Sequence, residues 1–298
     1  MSDLILLGAG ASSGCLDSTP YKPPLGKDLF TNLMKLNGVA ASIDDDIKAI
    51  FMTNFEEGMA TYYRRSRGNI MRFQRELSEY LSKFEPSHNS NYHKLLSQFD
   101  NKSTIYISLN YDVMFESAAL SSGYNISYHD DYKDGHVRLL KIHGSSNFWP
   151  NTMGVSIKGG DLYDCPTHVD ARIITLSPIE SSKRFLNDDG FSPAISMFAE
   201  GKEVKVSPSF VLHQQSIWAK ALKNAKRIFI IGVRVHTADE HIWKAISESD
   251  VEVFYFGKNG DEKEFNDWKT DSKKENSKFI EGYFDDAITT LRFLNKKQ

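Results

Sequence analysis

The feature that most constrains this chain is a run of apolar segments, each stopped by glycine or a small polar cluster. DLILLG (residues 3–8) runs into AGASSG, STIYISLN (103–110) into YD, and HVRLLKI (136–142) into HGS. KRIFII stops at Gly232, and DVEVFYF stops at Gly257. Continuous apolar runs of this length predict strands buried on both faces, which is the signature of a parallel sheet. Amphipathic segments alternate with them. PLGKDLFTNLMKL (24–36) places Leu25, Leu29, Leu33 and Leu36 on one face, and YDVMFESAALSSG (111–123) closes on Gly123. LHQQSIWAKALKNA (212–225), ADEHIWKAISES (238–249) and FDDAITTLRFLNKK (284–297) read as helices as well. The predicted class is therefore α/β, a Rossmann-like doubly wound parallel sheet.

Two stretches interrupt the alternation. Residues 41–100 read as a helical insertion, with DDDIKAIFMTNFEEGM (44–59), NIMRFQRELSEYLSKF (69–84) and NYHKLLSQF (91–99) as its helices. Residues 146–210 carry short β-like pieces such as ARIITLSPI among Gly, Asp, Asn and Pro clusters, and read as a second, irregular insertion. The expected organisation is one domain over 1–298, with a core of 1–40, 101–145 and 211–298.

Charge and cysteine content narrow the function. Thirty-six Lys plus Arg against thirty-nine Asp plus Glu give a net charge of -3, which offers no electrostatic case for nucleic acid or an anionic membrane. The basic stretch YYRRSRGNIMR (62–72) reads as a solvated helix face. No run approaches the ~20 apolar residues of a membrane span. Asp3 occupies the place where a signal peptide needs positive charge, so a cytoplasmic protein is expected. Cys15 and Cys165 are too few for a disulfide framework or a cysteine-rich zinc site. Cys165 and His168 have metal-like spacing without a second pair to complete a tetrahedral set, so no metal is expected.

In doubly wound sheets ligands bind beyond the carboxyl ends of the strands. Every small or polar cluster named above falls at that end, which predicts a site there. Each cluster has two open readings. Gly8, Ala9, Gly10, Ala11 and Ser12 form either a loop that lets the backbone approach a phosphate or a tight turn with no ligand. Their spacing is not the dinucleotide fingerprint: Ser13 stands where the third glycine belongs, and Asp28 lies inside a helix. Asn110 and Asp112 either meet a sugar hydroxyl or water, or cap the following helix. His143 is either a general base or a structural histidine.

Taken together, GAGAS (8–12), SLNYD (108–112) and KIHGS (141–145) resemble, in order and spacing, the motifs of the sirtuin family. IIGVRVHTADEHIW (230–243), with Gly232 and an acid at Asp239, is similar to the late strand–loop–helix of sirtuin-like bacterial proteins. The resemblance implies an NAD-binding fold in which the nicotinamide–ribose bond is cut. It implies Asn110 and His143 as the catalytic pair. It further implies NAD+ contacts from Gly8, Ala9, Gly10, Ala11, Ser12, Asp112, Gly144, Ser145 and Gly232.

Two departures refine this. The four-cysteine zinc module of protein-deacylating sirtuins has no counterpart, and the segment between GAGAS and SLNYD is long and helical. Both resemble the sirtuin-like NAD+ hydrolases of bacterial antiphage defence. That resemblance implies NAD+ as substrate, no zinc, a homo-oligomer, and control by a separate partner such as a motor ATPase. The alternatives in other classes are a deacylase or ADP-ribosyltransferase of the same fold, and a non-catalytic NAD or ADP-ribose sensor.

Overall fold

The computed structural model describes residues 2–153, 169–187, 190–196, 204–236 and 239–296. Its strands are β1 (Ser2–Leu7), β2 (Thr104–Ser108), β3 (Asn125–Ser127), β4 (His136–Lys141), β5 (Phe148–Pro150), β6 (Ile173–Thr175), β7 (Ala225–Ile231), β8 (Glu252–Gly257) and β9 (Ser277–Glu281). Seven of them form one sheet in the order β3-β4-β2-β1-β7-β8-β9, with every pairing parallel. The fold is an α/β Rossmann-like one. β1 lies at the centre: Leu7 is level with Ser108 of β2 on one side and with Ile231 of β7 on the other. From β1 the chain fills one half of the sheet, then crosses to the other at β7. The switch in strand order thus falls between β1 and β7.

Both faces of the sheet are covered, which explains the unbroken apolar strands. Successive β1 side chains enter opposite cores. Ile5 and Leu7 pack with Tyr106, Phe229 and Ile231 on one face. Leu4 and Leu6 pack with Ile107, Ile230, Trp218 and Trp243 on the other.

The helical insertion belongs to the first of these cores. Phe51, Met59, Phe73 and Leu77 are buried with the strand residues, and Phe30 stacks on Phe51 at 4.1 Å between ring centroids. The segment 44–59 is two helices, Asp45–Thr53 and Phe55–Arg65, rather than one. Asn54 divides them, because its side-chain oxygen accepts from the Glu56 and Glu57 amides at 3.0 and 3.3 Å. The basic stretch is a solvated face: Arg64 pairs with Glu57, and Arg65 with Asp46. Within 146–210, β5 and β6 form a small antiparallel pair, followed by a helix over Pro178–Asn187. Cys165 and His168 lie outside the described residues. Among the described residues, no helix is long and apolar enough to cross a membrane.

Candidate functional site

The loop after β1 is fixed by its neighbour β7. The Gly8 amide donates to Ile231 O (3.0 Å) and the Gly10 amide to Gly232 O (2.9 Å), while the Ala11 amide turns back to Gly8 O (2.9 Å). A Cβ on Gly8 would collide with the Gly232 carbonyl, and one on Gly10 would stand 2.8 Å from Gly232 Cα. Gly232 itself has φ +66, and a Cβ there would collide with the Ala11 amide. These three glycines therefore let two strand ends meet backbone to backbone. Among the predicted contacts of this loop, Gly8, Gly10 and Gly232 thus have a packing reason of their own. Ala11 is buried in the core, and Ala9 lines the pocket described below.

The short helix Ala9–Ser13 turns Ser12 inward, beneath the loop after β2. The Ser12 hydroxyl donates to Asp112 Oδ2 at 2.8 Å. With its one proton spent there, it accepts from Asn110 Nδ2 (3.0 Å) and from the Tyr92 hydroxyl (2.8 Å). Burial pushes the Tyr92 phenol well above its ordinary pKa, and the Asp112 charge adds to this, so Tyr92 keeps the proton it donates. The second Asp112 oxygen accepts from the Met114 amide at 3.1 Å. Asp112 thus serves the first amide of the helix Met114–Ser121, although Val113 rather than Asp112 stands at its N-cap.

Asn110 is the pivot. Its Nδ2 donates to Gly8 O at 2.9 Å as well as to Ser12, and a carbonyl partner fixes which end of the amide is nitrogen. Its Oδ1 is fully enclosed yet has no hydrogen-bond partner among the described residues. The side chain is 6% exposed. Such an atom lacks about 1–3 kcal/mol of compensation until a donor reaches it.

Asn110, Asp112, Ser12 and Ala9 line a pocket of about 540 Å³. Its walls come from the loops after β1, β2 and β7, at the switch in strand order, with residues 23–26 and 53–56 closing it. Arg234 and His236 stand on the wall after β7. Arg234 is paired with Glu264, and His236 Nε2 lies 3.1 Å from Glu56.

The β4 end is built differently. His143, 1% exposed, has its Nε2 2.9 Å from His241 Nε2. His241 stands in the first turn of the helix Glu240–Ser247, with Asp239 at its N-cap position. One donor atom from each of His143, Asp239 and His241 lies within 4.8 Å of the others. Gly144 has φ +81, and a Cβ would collide with the Ala194 carbonyl. The Ser145 amide donates to that same carbonyl at 2.9 Å. Gly144 and Ser145 thus bind the second insertion, and neither they nor His143 line the pocket of Asn110. The two strand ends are tied through the backbone: Ser146 N donates to Tyr111 O at 2.9 Å.

Beneath them lies a buried ion pair. Lys141, the residue after which β4 ends, reaches Glu116 at 3.1 Å and donates to Asp112 O at 2.6 Å. A lysine inside the apolar run HVRLLKI was the visible signal for this pair. Nothing in the sequence pattern around Tyr92, Glu116 or His241 marks them as site residues. Asp239 and His241 stand two apart in the stretch TADEHIW, a spacing that carries no known ligand pattern by itself.

No protein-family model matches the chain, and no curated protein matches it.

Proposed function

We propose that this protein is an NAD+ hydrolase that cuts the nicotinamide–ribose bond to give nicotinamide and ADP-ribose. The observation that carries the reading is Asn110, which lines a pocket at the sheet's switch point and whose buried Oδ1 has no hydrogen-bond partner among the described residues. A pocket of about 540 Å³ lies within the range of small-molecule sites, roughly 300–1,000 Å³. The motifs GAGAS, SLNYD and KIHGS, which resemble those of sirtuins, supply the substrate class.

The chemistry asks little of an acid. Nicotinamide leaves from a cationic pyridinium and needs no proton. The enzyme's task is to hold a ribose whose transition state resembles an oxocarbenium ion and to place water on its open face. In this reading Asn110 Oδ1 accepts from a ribose hydroxyl or from the attacking water. The Ser12–Asp112–Tyr92 network holds the Asn110 amide in place. His143, which the sirtuin-like motif KIHGS assigns as base, does not line this pocket, so in this reading it takes the proton through an intervening water. Arg234, paired with Glu264, stands on the wall where a diphosphate would find a cationic partner. Such an activity fits NAD+ depletion in antiphage defence, with restraint by self-assembly or by a partner such as a motor ATPase.

The test is incubation with NAD+ and chromatographic separation of products, with and without proteins encoded beside it. Asn110→Ala and His143→Ala are each expected to lower turnover by about 10²–10⁴-fold with unchanged circular dichroism. Absence of nicotinamide release in every assembly state refutes the reading.

A further inference from the structure

His143 and His241 meet through their Nε2 atoms beyond the end of β4. Two imidazole nitrogens 2.9 Å apart cannot both present lone pairs, so one of them carries a hydrogen directed at the other. A carboxylate stands beside them: Asp239 offers an oxygen within 4.8 Å of both. We propose that His143, Asp239 and His241 form a binding site for a divalent transition-metal ion, with Zn2+ as the intended class.

The donor set is two imidazoles and one carboxylate, which suits zinc with a water or substrate atom in the fourth position. Zinc–nitrogen bonds of about 2.0–2.1 Å in a tetrahedral site separate two ligand nitrogens by about 3.3 Å. The observed 2.9 Å therefore has to open by a few tenths of an ångström, within reach of side-chain rotation. Binding needs no net proton loss. The shared hydrogen moves from Nε2 to Nδ1 of the same ring, and both histidines stay neutral.

The supports are rigid. His143 O accepts from Ser196 N at 2.8 Å, and Gly144 N donates to Lys141 O at 3.0 Å, which fixes the β4 loop. His241 O accepts from Trp218 Nε1 at 3.3 Å. Asp239 O accepts from the Ile242 and Trp243 amides, both at 2.9 Å, which anchors the helix start. The three residues come from opposite halves of the sheet, after β4 and after β7, so the fold itself assembles them. His143 and Asp239 are buried, whereas His241 is partly open and gives the ion a way in. The absence of a cysteine module does not bear on this site, which uses no thiol.

A consequence for turnover rests on the hydrolase reading. A metal on His143 Nε2 occupies the lone pair that a base would use, so Zn2+ and NAD+ cleavage exclude one another. The site itself stands apart from that reading and is tested without NAD+.

The experiment is calorimetric titration of the chelator-stripped full chain with Zn2+, paired with a Co2+ titration read by visible absorption. One equivalent of Zn2+ and a four-coordinate Co2+ spectrum are expected. Asp239→Asn and His241→Gln are each expected to weaken Zn2+ binding by more than about tenfold with unchanged circular dichroism. Wild type that takes up no Zn2+ at micromolar concentration, or that gives only a six-coordinate Co2+ spectrum, overturns the proposal. So does a folded His241→Gln variant with wild-type affinity. Turnover is a separate arm. Stripped protein that leaves NAD+ intact counts against the hydrolase reading, while the titration still decides the site.

Discussion

Replacing Lys141 by methionine probes the buried charge beneath the site. Its side chain is 1% exposed and that of Glu116 is 5% exposed, so neither charge is shared with water. Burial raises the Glu116 pKa, and the Lys141 ammonium opposes that rise. Lys141→Met leaves Glu116 without its counter-charge at neutral pH and strips the Asp112 carbonyl of a 2.6 Å donor. Breaking a buried pair from one side costs about 3–5 kcal/mol. Against a total stability of about 5–15 kcal/mol, that is a third or more for most of the range. Urea unfolding followed by tryptophan fluorescence measures it directly.

The pH dependence has a definite sign. An acid whose folded pKa lies above its unfolded value binds extra protons in the folded state, so stability falls as pH rises through that window. Removing Lys141 takes away the influence that lowers the Glu116 pKa, and the window widens upward. The deficit of Lys141→Met relative to wild type is therefore largest at neutral pH. It shrinks on acidification toward the unfolded carboxyl value of about 4.3. Adding Glu116→Leu removes the stranded charge and leaves only the cost of the unsatisfied Asp112 carbonyl, about 1–3 kcal/mol. A Lys141→Met deficit below about 1 kcal/mol at neutral pH, or one that stays constant with pH, refutes the account.

Gly232→Ala is expected to lose about 2–5 kcal/mol in the same assay, from a left-handed backbone plus overpacking against the Ala11 amide. Gly123→Ala is its control: φ is +86 but nothing lies within 4 Å, so only the conformational cost of about 1–2 kcal/mol remains. Equal losses in the two variants would remove the close-packing explanation of the glycines. Cys15 is buried, and burial pushes its thiol up to about 12. At pH 8 roughly one molecule in ten thousand then carries the thiolate. Iodoacetamide at that pH should leave Cys15 unmodified in the native protein and modify it at once in urea, as read by peptide mass mapping. Rapid native labelling would contradict the burial.

The central strands were legible because both faces of a parallel sheet are covered, which makes each strand apolar without alternation. The margins lack that signal. In β9, SKFIE, only Ser277 is fully buried, and in β3 no residue is. The helix Asn259–Asp271 buries only Phe265, so its sequence carries little periodicity and it was not foreseen. The division of 44–59 turned on the Asn54 side chain, which caps the second helix from inside an otherwise helical pattern. Local pattern reports burial, and these elements are barely buried.

The site divides along the same line. That small and polar clusters gather at one edge of the sheet followed from topology alone. Which atoms touch did not, because the contacts join distant residues: Ser12 to Tyr92 across 80 positions, and His143 to His241 across 98. The glycines teach a further distinction. Gly8, Gly10 and Gly232 are required by the approach of two backbones, whether or not a ligand binds there. A glycine-rich strand end therefore reports that something comes close without saying what. The amide beside them is more specific. Asn110 spends both its hydrogens on Gly8 and Ser12 and turns its oxygen to a buried position where no described residue donates to it. Packing explains the loop, whereas among the described residues no donor completes that oxygen. Asn110, unlike the glycines beside it, is therefore the residue of this strand end whose contacts packing leaves incomplete.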